Sequence, residues 1–582
     1  MEELESKIGI TDLPDEIITI ILSNSSYKDV ISFGMTSKHF YSIVFDDQYL
    51  WKSKCSEILP NLILNTVQNH CDGEWLNELR KFVVLKRNVI LQLLAMSPNF
   101  YWKMNQLSLE DCKEFFTLAT EHELSYYYTI HILQQILQQA NKNLDNHVCE
   151  KPYTLTEIYY VKVLLRYLVH LYLCIKWVKL YTSQVLLPEV VMNFCLQWID
   201  PTTTHTDEST RIVLDDVVEN IKDVIRQARA KKPPPPGRKK VTDREVLSAM
   251  TQVIYRQRHI TITPAADHDT LNIVKVLKNK CGHAIALAVI YQAVARKCGV
   301  KIELITFQDH LFLEWIDDSD PQNVIYTINL ETGELKPKRR CPFSRTNQHF
   351  NYSYCPDSLL QYIYSSYFVT MGAIRNWHTQ NALHLINFMS TNNNCHNPYN
   401  NFFPYLMEIP ALQAPNQELD LYFLSNFYRE ILLVLSTLNK PTASVYNNLQ
   451  VKRHDKNVLF AVGMICYHKK YEYICIIRGW DISGDNVARM PAHNLVYGLM
   501  QPFYRVTAAD QSERYVAQEN LVELRHPTRL YHLEDLISKE FTHFDGFAYI
   551  LNDEKKIEYP DENPIVESID HIIAILQFYL EC

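Results

Sequence analysis

The sequence predicts a multidomain chain, mainly α with α+β parts. Three observations predict this. The chain has 582 residues, which at roughly 150 residues per domain makes about four units. Only 13 of them are glycine, about 2% against a typical ~7%, so tight turns are few and helices many. The hydrophobic period also changes along the chain, from helical stripes over 55–230 to short strands over 455–525. Hydrophobic residues make up 47% and charged residues 21%, which suits large cores and not a disordered chain.

Residues 10–52 read ITDLPDEIITIILSNSSYKDVISFGMTSKHFYSIVFDDQYLWK. Leu13-Pro14 opens a first short helix, since proline is tolerated in a first turn, and Ile17, Ile18, Ile21 and Leu22 follow at helical spacing. Asp29 to Phe33, including Val30, forms a second helix. Ser37 to Val44 forms a third, and Trp51 closes the set. So short a segment cannot bury all of these apolar side chains alone, so several face a partner. The plainer alternative is a three-helix cap packed on its own chain.

The region 55–230 is helical almost throughout. Its most apolar stretch, YYVKVLLRYLVHLYLCIKWVKLY, carries Lys162, Arg166, His170, Lys176 and Lys179, which marks a packed helix and not a membrane span. A Pro/basic linker follows at 231–240, KKPPPPGRKK, where four prolines remove backbone donors and favour an extended conformation. Its basic flanks keep a nuclear-import patch and a proline-motif ligand open as readings.

Over 241–345 helices precede strands, VKIELITFQDHLFLEWI and NVIYTINLETGELK. The region 346–445 reads as helical hairpins followed by the loop NNNCHNPYNN. Over 455–530 the strands NVLFAVGMICYHKK, YEYICIIRGWD, PFYRVTAAD and ERYVAQENLVEL suit a small β-barrel or sandwich. The extension 531–582 mixes helix and loop.

Charge and cysteine content narrow the function. The net charge of −9 gives no global attraction to nucleic acid or anionic lipid. The 14 cysteines show no CxxC pair or regular spacing, which fits buried free thiols in a reducing compartment and no metal site. The N-terminus, MEELESKIGI, lacks the apolar core of a signal peptide. These features place the chain in the cytoplasm, the nucleus or both, with no membrane and no cofactor.

Residues 8–54 resemble an F-box through Leu13, Pro14, Glu16, Ile17, the Ile21-Leu22 pair, Val30, Ser37-Lys38 and Leu50-Trp51. That resemblance implies a Skp-type adaptor and a cullin as partners. The adaptor-binding candidates are Leu13, Pro14, Ile17, Ile18, Ile21, Leu22, Val30, Phe33 and Trp51.

GHAIALAVIYQAVARKCGVKIELITFQDHLFLEW is similar to the core of the transglutaminase-like superfamily. In active members a cysteine lies two residues after a glycine at the helix start. Counted from Gly282, that position is Ala284; the superfamily histidine falls on His310 and the acidic position on Asn329. Asparagine can still orient an imidazole, but a methyl cannot attack a carbonyl. These three positions are therefore expected to be relics. Cys281 is the alternative nucleophile, making the chain a cysteine acyl-transferase or amidohydrolase. Its neighbours favour a structural thiol, and Ala284, Leu287, Ala288, Tyr291, Val294 and Ala295 form a core stripe.

AVGMICYHKKYEYICIIRGWD, QPFYRVTAAD and RYVAQENL look like the bacterial HspQ/YccV family. The match lies on His468, Tyr471, Tyr473, Gly479, Trp480, Asp481, Pro502, Phe503, Tyr504, Tyr515 and the Ala517-Gln518-Glu519-Asn520 run. Members have been linked to hemimethylated DNA and to protease adaptors. Between Asp455 and Arg525 eight Lys/Arg balance eight Asp/Glu, whereas a phosphate-tracking surface shows a basic stripe. A protein-binding module is thus favoured over DNA, with Tyr471, Tyr473, Trp480, Phe503 and Tyr504 as substrate-binding candidates. The three resemblances in this order imply a substrate-recognition subunit of a Skp–cullin–F-box ubiquitin ligase that positions a protein substrate without catalysis of its own.

Overall fold

A computed structural model describes residues 10–104, 107, 110–122, 124–142, 153–182, 186–202, 207–231, 241–307, 310–317, 324–338, 355–372, 375–389, 450–483 and 495–562. The proline run 233–236 and the loop 392–401 lie outside the described residues.

The chain begins with α1 (Asp15–Ser23), α2 (Tyr27–Gly34), α3 (Lys38–Phe45) and α4 (Gln48–Ile58). Side-chain caps set their starts: Ser26, Ser37 and Asp47 each accept backbone N–H bonds that the first turn leaves unpaired. Then come α5 (Asn61–His70), the 26-residue α6 (Trp75–Phe100), α7 (Lys113–Ala119), α8 (Ser125–Lys142), α9 (Leu155–Thr182), α10 (Pro188–Ile199) and α11 (Asp207–Lys231). Within α9, Leu155–Trp177 is apolar and long enough to cross a bilayer. It packs instead against α6, α8 and α10, and 72% of its most apolar window is buried in protein.

The next unit holds α12 (Asp243–Thr251), a π-helical turn (Gln252–Gln257), β1 (Thr261–Thr263), α13 (His268–Leu271), α14 (Ile273–Asn279), β2 (Cys281–His283) and α15 (Ala284–Lys297). Strands β3 (Glu303–Phe307), β4 (His310–Ile316), β5 (Ile325–Ile328) and β6 (Leu335–Pro337) form an antiparallel sheet in sequential order, while β1 and β2 pair in parallel apart from it. Helices α16 (Pro356–Met371) and α17 (Trp377–Met389) follow. One continuous apolar core runs from Ile18 to Leu385, so everything up to α17 shares a single interior.

A second core belongs to β7 (Ile465–His468), β8 (Tyr473–Asp481), β9 (Phe503–Ala508), β10 (Glu513–Ala517), β11 (Leu521–Glu523), α18 (Tyr531–Ile537), β12 (Phe541–Phe544), β13 (Tyr549–Leu551) and α19 (Asp553–Glu558). The five-stranded sheet runs β10-β9-β8-β7-β11. Its outer strands are joined by one three-residue 3-10 turn, Gln518–Asn520. A flat five-stranded sheet would hold its outer strands about 19 Å apart, more than three residues can bridge, so the sheet must curl. It curls without closing: β10 and β11 form no ladder, which corrects the expected closed barrel. A second correction concerns the tail, where the hairpin β12–β13 lies between α18 and α19 and was expected as loop. Gly463 makes that hairpin's contact possible. Its φ is +96°, its carbonyl accepts the Tyr549 N–H, and a Cβ there would lie 2.0 Å from the Tyr549 carbonyl oxygen.

The two cores meet at α9, where Leu155 enters the second core and Ile158 packs against both, and polar contacts join them too. Thr156 Oγ donates to the Phe541 carbonyl at 3.0 Å, Ser97 Oγ to Glu554 at 2.8 Å and Lys539 Nζ to the Lys103 carbonyl at 2.9 Å. Lys162 pairs with Asp535, which also accepts the Trp377 N–H.

Candidate functional site

The four N-terminal helices divide their apolar residues between two directions. Ile18, Leu22, Val30, Phe40, Val44, Leu50 and Trp51 point inward and are buried. Trp51 is the strut of this set, donating its indole N–H to the Val44 carbonyl at 2.8 Å. Lys54, itself buried, donates to the Ser23 carbonyl at the end of α1 and pairs with Glu57. Ile17, Ile20 and Ile21 on α1, Ile31 and Met35 at the end of α2, Tyr41 on α3 and Tyr49 on α4 point outward. Met35 is 68% exposed and Tyr49 86%. Seven large apolar side chains are thus exposed on about 35 residues, and exposed apolar side chains at this density are a feature of protein-docking surfaces.

Of the nine residues expected to bind an adaptor, the surface thus holds Pro14, Ile17 and Ile21. Leu13 and Phe33 are half-buried, and Ile18, Leu22, Val30 and Trp51 hold the helices together from inside. Ile20, Ile31, Met35, Tyr41 and Tyr49 are also exposed and were not among those nine candidates. The signal for Ile20 was present, since an α1 that is apolar at 17, 18, 20, 21 and 22 cannot bury its whole circumference.

In the second unit α15 begins at Ala284, so a methyl occupies the first helical position. Cys281 is half-buried in β2, which belongs to the two-stranded parallel pair and not to the sheet carrying His310. His283 caps α15: its Nδ1 accepts the Ile285 N–H at 3.3 Å, and burial pushes its pKa below the usual value. An imidazole used this way is neutral and committed to the backbone. Gly282 lets α14 pack close, as a Cβ there would lie 2.6 Å from Val276. The antiparallel register of β4 and β5 brings His310 and Asn329 to the same end of the sheet. The Asn329 carboxamide oxygen is engaged by the Glu331 N–H at 2.8 Å, and its backbone closes the turn to β6 through Gly333 and Glu334. The His310 side chain lies outside the described residues. No group of three or more possible metal ligands occurs among the described residues.

In the sheet unit, Trp480, Phe503 and Tyr504 are core residues, each at most 1% exposed. Trp480 donates its indole N–H to Glu562 at 2.7 Å, and Phe503 stacks on Tyr515. The Tyr504 hydroxyl accepts the N–H groups of Leu459 and Phe460 and donates to Gln518. Its pKa is pushed up to about 12 by burial. These three rings present no face to a partner. Tyr473 is half-buried between His468 and the Arg514 guanidinium, 4.1 Å from its ring centre, while Tyr471 is exposed. The Gln518–Asn520 turn also holds a loop that the sequence did not single out. Glu519 accepts the N–H groups of Val496 and Tyr497 at 2.9 Å, leaving Val496, Tyr497 and Met500 strongly exposed.

Comparison with known proteins agrees with this three-part layout. An F-box-like family model matches residues 10–57, a transglutaminase-like superfamily model residues 215–352, and a model described as hemimethylated DNA-binding protein YccV like residues 458–547. The curated protein F-box only protein 21 of Pongo abelii is 26% identical over 371 residues, covering 57% of each chain. Its Mus musculus and Homo sapiens counterparts are each 25% identical over 378 residues, covering 57% of this chain and 58% of theirs. The chain therefore aligns with little more than half the length of these relatives. No solved structure matches.

Proposed function

We propose that this chain is the substrate-recognition subunit of a Skp–cullin–F-box ubiquitin ligase. Its N-terminal helices dock a Skp-type adaptor, which joins a cullin, and the rest of the chain holds a protein substrate. The observation that carries this reading is the outward apolar face of α1–α4, with Ile17, Ile20, Ile21, Ile31, Met35, Tyr41 and Tyr49. The F-box-like match over the same residues and the F-box only protein 21 relatives support it.

The mechanism is proximity. Holding a substrate beside a recruited ubiquitin-conjugating enzyme raises the effective concentration of the reacting lysine and needs no catalytic side chain here. Ala284 at the helix start, His283 as a cap and Asn329 in a turn support a transglutaminase-like core kept as scaffold.

The test is a pull-down of the full chain with purified Skp-type adaptor. Ile17→Glu with Ile21→Glu should abolish capture while leaving the thermal unfolding curve in place, because both side chains lie outside the core. Capture that survives the pair of substitutions overturns the reading.

One observation favours a second reading: Cys281 is only half-buried beside His283, within the transglutaminase-like match. An acyl-transferase or amidohydrolase would be labelled by a thiol-directed acylating probe, with labelling lost in both Cys281→Ala and His310→Ala. DNA binding by the sheet unit would appear as an affinity falling steeply with salt.

A further inference from the structure

Helix α6 buries one face and leaves another open. Trp75, Leu79, Phe82, Leu85, Val89, Leu93 and Met96 enter the core. The opposite positions, Arg80, Val84, Arg87, Leu91, Leu94 and Pro98, recur at spacings of three and four and are all exposed, with Val84, Leu91 and Leu94 each more than half so. At a rise of about 1.5 Å per residue this stripe is about 27 Å long.

Its charge is one-sided. From Trp75 to Phe100 the sequence holds Arg80, Lys81, Lys86 and Arg87 against one acid, Glu78, with Asp72 and Glu74 ahead of the helix in the same cleft as Arg80, so the excess of cations is clearest at Arg87. Glu78 is buried, pairs with Lys81 and accepts the Tyr128 hydroxyl bond. Among the described residues Arg80 and Arg87 form no ion pair.

The geometry points to a docking surface on α6 for an acidic amphipathic helix of a partner protein. The spacing selects a helix: Val84, Arg87, Leu91 and Leu94 occupy alternating three- and four-residue steps, the seam that a second helix fills with its own apolar row. The cations select acidic flanks, since glutamates beside that row would meet Arg80 and Arg87. A second copy paired through the same α6 stripe fits less well, because that stripe would bring two more arginines and no acid. A lipid surface fits less well, because the stripe holds no aromatic residue to seat at a membrane interface. The inference is independent of adaptor docking on α1–α4.

The experiment uses the full chain and two synthetic three-heptad peptides, each with leucine at heptad positions a and d. One carries glutamate at e and g and the other lysine. Fluorescence anisotropy should show binding of the glutamate peptide, weakening at higher salt, and none of the lysine peptide. Leu91→Glu with Leu94→Glu should weaken binding roughly tenfold or more, and Arg80→Glu with Arg87→Glu should reverse the preference between the peptides. All four positions are exposed, and unchanged circular dichroism melting would exclude misfolding as the cause. Failure to bind either peptide, equal binding of both, or no effect of the leucine substitutions overturns the inference. So does dimerisation, or sedimentation with phosphatidylserine vesicles, that depends on Leu91 and Leu94.

Discussion

The N-terminal helices and the C-terminal sheet unit use their motif residues in opposite ways. In α1–α4 the apolar motif is split, with Ile18 and Trp51 inside and Ile17 and Ile21 outside. In the sheet unit Trp480, Phe503 and Tyr504 all turn inward, while Tyr471 and a loop with Val496, Tyr497 and Met500 reach solvent. Helices this short have too little interior for every apolar residue, so the surplus becomes a surface. A curled sheet backed by a hairpin has room for its large rings. An aromatic residue within a motif is therefore no guide to a binding face until its direction is known.

The sharpest break of that comparison is at Gly463. Gly463→Ala should cost about 3 kcal/mol or more, because the new Cβ meets the Tyr549 carbonyl in a left-handed backbone conformation. Chemical denaturation should show the loss in the sheet unit, with adaptor capture retained.

Acidification should separate the two cores. His384, on α17 in the first core, is held down at about 4 by burial and by nearby Arg166, against 6.5 when unfolded. The unfolded chain therefore takes up a proton that the folded chain refuses. The stability is present above pH 6.5 and is lost as pH falls towards 4, by up to about 3 kcal/mol. Glu540 belongs to the sheet unit. Burial works to raise its pKa, but Arg478 and Lys555 together hold it at about 2, against 4.5. Its contribution is present above 4.5 and is lost only as pH falls towards 2. Unfolding followed by circular dichroism across pH 7 to 3 should show the first core weakening before the second. Simultaneous loss would contradict the separation.

Trp480→Phe should cost about 2 kcal/mol in denaturant unfolding, since it leaves the buried Glu562 carboxylate without its indole donor. At the other extreme, Ile17→Ser with Ile21→Ser should change stability by no more than about 1 kcal/mol per residue, as expected of side chains partly exposed and outside the buried core. The same pair should remove adaptor binding. A large loss of stability there would mean that these residues hold the fold and do not serve a partner.

Much of the layout was legible in the sequence because it depends on local pattern. The short N-terminal helices followed from Leu13-Pro14 and the isoleucine spacing, and the strands from alternation bounded by polar turns. The stripe from Leu287 to Ala295 followed from its period and lies buried in α15. The open sheet was not legible, because closure depends on whether β10 and β11 meet, and strand pairing is a relation between distant segments. The hairpin β12–β13 was hidden because FTHF and YIL are too short to show a period.

The sequence by itself determined which atoms are present. A methyl at Ala284 cannot act as a nucleophile, eight Lys/Arg balance eight Asp/Glu over 455–525, and thirteen glycines leave few tight turns. Only the tertiary structure decided where shared chemistry points. It turned Ile18 inward and Ile17 outward, engaged His283 and Asn329 with backbone N–H groups, and left Arg80 and Arg87 of α6 exposed. The physical reason is that residue identity fixes the free energy of being buried or solvated, while the packing of distant segments fixes which of the two each side chain meets.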